Sequence, residues 1–556
     1  MRSVETKDMT RTSIDHKTER ENDLKKIKDS IHKRKIVVAG PGTGKSHMLG
    51  ELIKDKRKQG KSNFLAITFI GKLGDALADE LCGLAKTTTM HSFARSFVLK
   101  HCKGWNYYPR MYEIIAEDFK KEGIESFEVG DENYTKKTKY YQAIGDADVV
   151  HYAVQICKKD QNKIPTYDLV LVDEYQDFNS IESEFVDLLA QKNEIVIVGD
   201  DDQALYAFKG SSPSFIRLKY HDTNTDWESF KLRFCSRCTK VIIKYFHDLV
   251  SAFKLNDSTE TDPAKKRIEK EFICYLTGSS DGKDTDSSAN QKIHLIKNCP
   301  VGMIAYKIKG EIEKIAESQK MQDVLVVGEG RSCEALLKTV AHQLNNYGFK
   351  NVDYRGDGGI IPLVQNRIDA YKFIAKDESS LLGWRILGDP ADEGEKNKHK
   401  KNAKTVNTII NGTPSSLAKL SNKNVSILEK DIENWDSDGG DEERKIQNED
   451  IRKSVLISEL KKGNLYLPRP ICNFDITVCN ILNSKGLGAD VVFVIGFDQG
   501  KFPAKKEVTS SEIYQMLVAI TRAKKRVYLI NTIGKKVSQF AEHLSADDME
   551  IEEISS

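Results

Sequence analysis

The sequence predicts an α/β fold, with parallel sheets flanked by helices. Three observations lead there. Short runs of wholly apolar residues recur without the polar alternation of a half-solvated strand, which is the pattern of strands buried on both faces. Amphipathic stretches separate these runs, as the crossovers between parallel strands require. The runs also fall into two groups far apart along the chain, implying two sheets.

The first group holds Ile36-Val37-Val38, Phe64-Leu65-Ala66-Ile67, Leu169-Val170-Leu171-Val172 and Ile195-Val196-Ile197-Val198. The second holds Val324-Leu325-Val326-Val327, Val491-Val492-Phe493-Val494-Ile495 and Val527-Tyr528-Leu529-Ile530. At ~150 residues per domain, 556 residues suggest roughly 3.7 domains. The length suffices for several cores without disulfides or metals. Lys plus Arg number 85 against 83 Asp plus Glu, a net of +2. That excludes a strongly basic or acidic chain but not a local positive channel.

Ten cysteines are scattered, with Cys235 and Cys238 making a lone CxxC that reads as reduced thiols. The N-terminus lacks an apolar core, and no apolar run approaches the length of a membrane span. The expectation is a cytoplasmic protein. Residues 96–160 look helical and rich in Tyr and Lys, an insertion into the first lobe. Its interleaved Trp105, Tyr107, Tyr108, Arg110, Tyr140 and Tyr141 read either as a nucleic-acid contact or as a solvated helix face. Residues 386–464 are polar and read as loops around short helices, including the run Lys396 to Lys404. Residues 541–556 form an acidic tail, expected to be frayed.

The strongest local signal is Ala39-Gly40-Pro41-Gly42-Thr43-Gly44-Lys45-Ser46, which follows a strand and precedes a helix-compatible segment. Glycines there let backbone N–H groups curl around phosphates, and the helix N-terminus adds positive dipole. Lys45 is placed to reach the β- and γ-phosphates and Ser46 to hold Mg²⁺. The strand Leu169–Val172 ends in Asp173 and Glu174. Asp173 suits the Mg²⁺ shell, and Glu174 suits a general base that polarises the attacking water.

From Asp173-Glu174-Tyr175-Gln176-Asp177 onward the chain resembles the UvrD/Rep-like superfamily 1 helicases. The run from Gly199 to Gly210 resembles that family's third motif nearly throughout. Thr68-Phe69 and Thr89-Met90-His91-Ser92-Phe93 resemble earlier motifs. Leu232 to Arg237, Ser484-Lys485-Gly486-Leu487 and Val518 to Lys524 resemble later ones, all in order.

The resemblance implies two RecA-like P-loop NTPase lobes with helical insertions, ATP and Mg²⁺ between the lobes, and single-stranded DNA across them. It assigns 1–95 and 161–231 to the first lobe, and 232–385 and 465–540 to the second. Gln203 becomes the sensor of hydrolysis, Arg237 and Arg522 become arginine fingers, and Lys209, Lys485 and Gly486 join the nucleotide site. Thr68, Phe69, His91, Tyr206 and Phe208 become DNA contacts. The implied activity is ATP-driven movement on single-stranded DNA, in the 3′ to 5′ direction of the family, with duplex opening. The alternative is a nucleotide-switched subunit serving a nuclease.

Several family positions differ. No Gln precedes Gln59, Ser236 replaces the base-stacking aromatic, Gly488 replaces a ribose-contacting Glu, and Leu482 replaces a His. Lys209 stands where Arg is common. The expectation is intact phosphate chemistry with a weaker, less selective hold on the nucleoside.

Overall fold

The computed structural model describes residues 13–554, apart from 70–80, 82, 207–209, 222–225, 256–258, 276–291, 319–322, 331–332, 348, 350, 356–361, 389–391 and 412–474. Most of the polar stretch 386–464, together with Phe208 and Lys209, lies outside the described residues. The chain divides into two compact units, one of residues 1–93, 157–356 and 472–556 and the other of 94–156 and 357–471.

The first unit contains two parallel sheets. Strands β1 (Arg34–Ala39), β2 (Phe64–Thr68), β3 (Lys86–Thr89), β4 (Leu169–Val172), β5 (Ile195–Gly199) and β6 (Trp227–Leu232) form one, in the order β3-β2-β4-β5-β1-β6. All their pairings are parallel. Register sets Val37 beside Val198 and Val38 beside Gly199, so the loops after β1 and β5 leave the sheet side by side. In an open parallel sheet the ligand crevice lies outside these carboxyl ends. Strands β1, β2, β4 and β5 are buried almost end to end, which is why each reads as an unbroken apolar run. The edge strands β3 and β6 are only partly buried, and in β3, Lys-Thr-Thr-Thr, β-branched threonines favour extension without an apolar signature.

Strands β7 (Ile293–Cys299), β8 (Asp323–Gly328), β9 (Val352–Arg355), β10 (Asp475–Asn480), β11 (Ala489–Ile495), β12 (Ala523–Thr532) and β13 (Met549–Glu553) form the second sheet, in the order β9-β10-β8-β11-β12-β7-β13. Its pairings are again parallel. The acidic tail is therefore not frayed here: β13 pairs with β7, and Glu552 accepts a 2.6 Å hydrogen bond from Lys307. Charged side chains on an edge strand also block pairing with another chain. No helix among the described residues is long and apolar enough to cross a membrane, and no disulfide forms among the described cysteines.

In the second unit, Tyr108, Met111, Ile115, Phe119, Tyr134 and Leu382 share a core. Polar contacts tie its two chain segments together: Arg385 donates to Asp118 at 2.8 and 2.9 Å, and Tyr108 to Asn366 at 2.8 Å. Here the lysine run differs from expectation, because Lys396 to Lys404 lies on the 19-residue helix Glu393–Asn411 rather than in loops. Spacing explains it: His399, Asn402, Ala403 and Val406 make one buried face, while most of the lysines stay outside. His399 Nδ1 lies 2.9 Å from the Tyr371 hydroxyl, which satisfies a buried ring nitrogen.

Candidate functional site

The site grows from the loop between β1 and the helix Lys45–Lys58. Gly42 and Gly44 take φ of +67° and +90°, conformations that glycine alone adopts cheaply. At Gly42 the fit is also steric, since a Cβ there would lie 2.3 Å from Arg237 Cβ. The first N–H groups of the helix have no intrahelical acceptor, so the loop offers aligned donors to an anion. This cradle, with Lys45 at its rim, fits the phosphates of ATP. Ser46 and Asp173 carry hard oxygen donors of the kind Mg²⁺ takes, so they could hold it.

Lys45 Nζ lies 3.2 Å from Glu174 Oε1. Burial works against its charge, but Glu174, Asp173 and Asp200 outweigh burial and hold its pKa above the usual lysine value. Asp173 is pushed up to about 6 by burial and by the adjacent Glu174. Glu174 goes the other way: burial opposes its charge, yet Lys45, Lys485 and Gln176 hold it well below the usual carboxylate range. Opposed environments on adjacent carboxylates separate their roles. Glu174 also sits at φ +54°, a strained backbone for a non-glycine residue, of the kind found where side-chain aim matters more than comfort. Gln176 holds it in place, donating from Nε2 to Glu174 Oε2 at 2.5 Å while its own Oε1 accepts from the Asp200 N–H at 3.0 Å.

Three predicted residues join the two sheets. Gln203 Nε2 donates to Asp200 Oδ2 at 2.7 Å, and its Oε1 accepts from Arg522 Nη2 at 3.1 Å. Arg522 is fixed from its own lobe by Val518 O at 3.0 Å and Leu487 O at 3.3 Å. Burial and the neighbouring Arg237 guanidinium pull Arg522 down to about 9. Arg237 reaches the loop through its backbone neighbour: the Ser236 N–H donates to Gly42 O at 2.9 Å. A Cβ on Gly488 would lie 3.4 Å from Arg237 Nε, an ordinary contact, so Gly488 sits against this guanidinium.

Lys485, expected among the nucleotide contacts, is instead turned to carboxylates. It is 1 % exposed, hydrogen-bonds Asp177, donates to Gln203 O at 2.9 Å and lies 3.5 Å from Glu174 Oε2. Asp177 is itself pushed up to about 6 by burial, against the pull of Lys485. Gly486 takes φ +83°.

Of the residues expected to face DNA, Thr68 is fully buried at the end of β2. Phe69 packs against Tyr206 at 5.0 Å and Phe178 at 6.1 Å between ring centres. Tyr206 is itself buried, with its hydroxyl 3.4 Å from Leu482 O. His91 Nδ1 lies 3.5 Å from Glu182 Oε1. In this conformation Phe69 and Tyr206 are part of the packing between lobes.

Two sets of residues escaped the sequence reading. One lines a cavity of about 320 Å³ beside the loop, bounded by Thr43, Gly44, His47, Phe234, Arg20 and Tyr275. The Arg20 guanidinium lies 4.9 Å from the Tyr275 ring centre, and its Nη2 would be 2.9 Å from a Cβ on Gly44. An aromatic and a planar cation at the phosphate loop are the groups that stack on a base. Neither stands in a recognisable motif, so no sequence signal marked them.

The other set surrounds Asp200, Asp201 and Asp202, which are completely buried. These carboxylates lie close enough to share a cation, but Lys270, Arg267 and Arg217 already neutralise them. In sequence, Lys265 to Glu271 looks like a solvated charge run.

Comparison with known proteins agrees with this geometry. Residues 25–209 match the family model described as an AAA domain, and residues 396–533 match the UvrD-like helicase C-terminal domain. A probable DNA helicase II homolog of Rickettsia conorii is 22% identical over 90% of this chain and 91% of its own length. Another, from Mycoplasma capricolum, is 22% identical over 69% of this chain and 59% of its own length. The exonuclease/helicase subunit RexA of Lactococcus lactis is 28% identical over 23% of this chain and 11% of its own length. The chain thus spans less than two thirds of the latter two relatives. Matched at both ends and carrying the phosphate loop, the paired acids and the arginines that meet between two parallel sheets, the chain belongs to the UvrD-like helicases.

Proposed function

We propose that this chain is an ATP-dependent DNA translocase and helicase. It hydrolyses Mg²⁺-ATP between its two sheets, moves on single-stranded DNA in the 3′ to 5′ direction and opens duplex. The observation that carries this is the linkage Asp200–Gln203–Arg522, which runs from the first sheet's carboxyl end into the second lobe. A sensor hydrogen-bonded to an opposing arginine makes the lobe contact depend on whatever occupies the phosphate site.

ATP and Mg²⁺ supply the phosphoanhydride and its charge neutralisation. On the protein side, Lys45 leaves Glu174 for the phosphates, and the strained Glu174 aims its freed carboxylate at water. Asp173 and Ser46 would hold the metal shell, while Arg237 and Arg522 would meet the developing negative charge. The cavity bounded by Arg20 and Tyr275 takes the base. Phe69, Tyr206 and His91 contact DNA once the lobes move. The relative named as an exonuclease/helicase subunit supports a nuclease-bearing protein as a candidate partner.

The test is ATP hydrolysis with and without single-stranded DNA, alongside strand displacement from duplexes with 3′ or 5′ tails. Stimulation by DNA and opening of the 3′-tailed duplex are expected. Hydrolysis indifferent to DNA would overturn the motor reading.

A further inference from the structure

We infer that Lys270 is a positioning residue for hydrolysis, holding Asp200 so that Asp200 sets Gln203 against Arg522. This rests on the ATPase reading above. Lys270 Nζ lies 2.8 Å from Asp200 Oδ1, while the other oxygen of that carboxylate, Oδ2, accepts from Gln203 Nε2 at 2.7 Å. Gln203 Oε1 then accepts from Arg522 at 3.1 Å. Four side chains thus form one continuous chain of contacts, starting at a residue outside every recognised motif and ending on Arg522, the arginine proposed above to meet the phosphates.

The surrounding geometry shows that Lys270 is held as well as holding. It hydrogen-bonds Asp202 Oδ2 at 2.6 Å and lies 2.6 Å from Asp201 Oδ1, its contacts with Asp200 and Asp201 being ion pairs without hydrogen-bond alignment. Arg267 clamps Asp202 with two bonds of 2.5 and 2.7 Å, and Arg217 bonds Asp201 at 2.8 Å. Three buried negative charges meet three buried positive ones, so the cluster is neutral and has little reason to rearrange. Burial opposes the Lys270 ammonium, yet the three carboxylates more than compensate and hold its pKa above the usual value. A bare charge-balancing role would be met by a cation anywhere in the cluster. The direct contact with Asp200, whose opposite oxygen carries Gln203, is what makes Lys270 a positioning group. Such a lock limits Gln203 to one rotamer, the preorganisation that transition-state contacts need.

The deciding experiment uses the full chain and removes Lys270 without unbalancing the cluster, as K270M/D201N. Wild-type hydrolysis with single-stranded DNA is the control for the ATPase reading itself, and its absence would sink that reading rather than this one. Loss of the Lys270–Asp200 ion pair predicts a kcat roughly tenfold lower, about 1.4 kcal/mol in the barrier, with KM for ATP within about twofold. In a Gln203→Ala background the same pair of changes should cost nothing further, because the relay is already cut. Lys270→Arg, which keeps the charge for a case where the double variant does not fold, should lower kcat without moving KM. Unchanged kcat in whichever variant folds, a parallel rise in KM, or full additivity with Gln203→Ala would each overturn the inference.

Discussion

Lys485→Met removes the ammonium that ties Asp177 to the second lobe while keeping most of the length of the side chain. Lys485 is 1 % exposed and Asp177 fully buried, so solvent cannot replace the lost partner. Stripping one member from a buried ion pair costs about 3–5 kcal/mol because the other charge stays buried. A limit of similar size comes from protonation. An isolated buried Asp177 would take a proton at pH 7.5, which from an ordinary value of 3.8 costs about 5 kcal/mol. The sign follows from the same group. Its folded pKa already lies above the unfolded one, so its ionisation removes stability as pH rises through about 6. The deficit of Lys485→Met should therefore be largest near pH 8 and shrink toward pH 5. Urea unfolding followed by circular dichroism at both pH values measures this, with a constant m-value as the check on compactness. The matching change Asp177→Asn, made in the Lys485→Met background, should recover most of the loss. A deficit below about 1 kcal/mol, or one that Asp177→Asn leaves untouched, would refute the argument that this pair is a buried latch.

Glu174→Gln should abolish turnover while nucleotide binding, read by fluorescent ATP analogue titration, persists; undiminished turnover would remove Glu174 as the base. Asp173→Asn should stabilise the nucleotide-free chain at pH 7.5, since Asp173 is raised to about 6 and costs stability once ionised. That advantage should vanish near pH 5, where the native carboxyl is already protonated, and a pH-independent melting shift would contradict it. Tyr275→Ala should raise KM for ATP several-fold and narrow any difference between ATP and GTP, with kcat little changed; identical Michaelis constants would remove the cavity beside Arg20 from base recognition.

Much of this was visible in the residues themselves, for physical reasons. Doubly buried parallel strands cannot alternate, so β4, β5 and β11 announce themselves as apolar runs. The phosphate loop is equally legible, because glycines at Gly42 and Gly44 are forced by backbone and crowding together. What stayed hidden was anything defined by distance in space. Lys485 meets Asp177 across 308 positions, and nothing local marks it as a partner of a carboxylate rather than of a phosphate. Arg267 and Lys270 sit in a string of charges indistinguishable from a solvated face, although both side chains are largely covered. Ser236 and Gly488 stand where the family's base and ribose contacts are expected, so the motifs mark no base-facing residue. Arg20 and Tyr275 occupy the space from other parts of the chain. Helical spacing beneath the Lys396–Lys404 run was likewise masked by its charge.

The bond from Ser236 to Gly42 has a mechanical meaning. Residues 233–237 carry the chain out of β6 toward the second lobe, and here that connection is fastened to the phosphate loop itself at 2.9 Å. A drive shaft coupled directly to its cam has no backlash. A shift of Gly42 would therefore pull on the joint between the lobes through a backbone hydrogen bond, with no intervening side chain to absorb it.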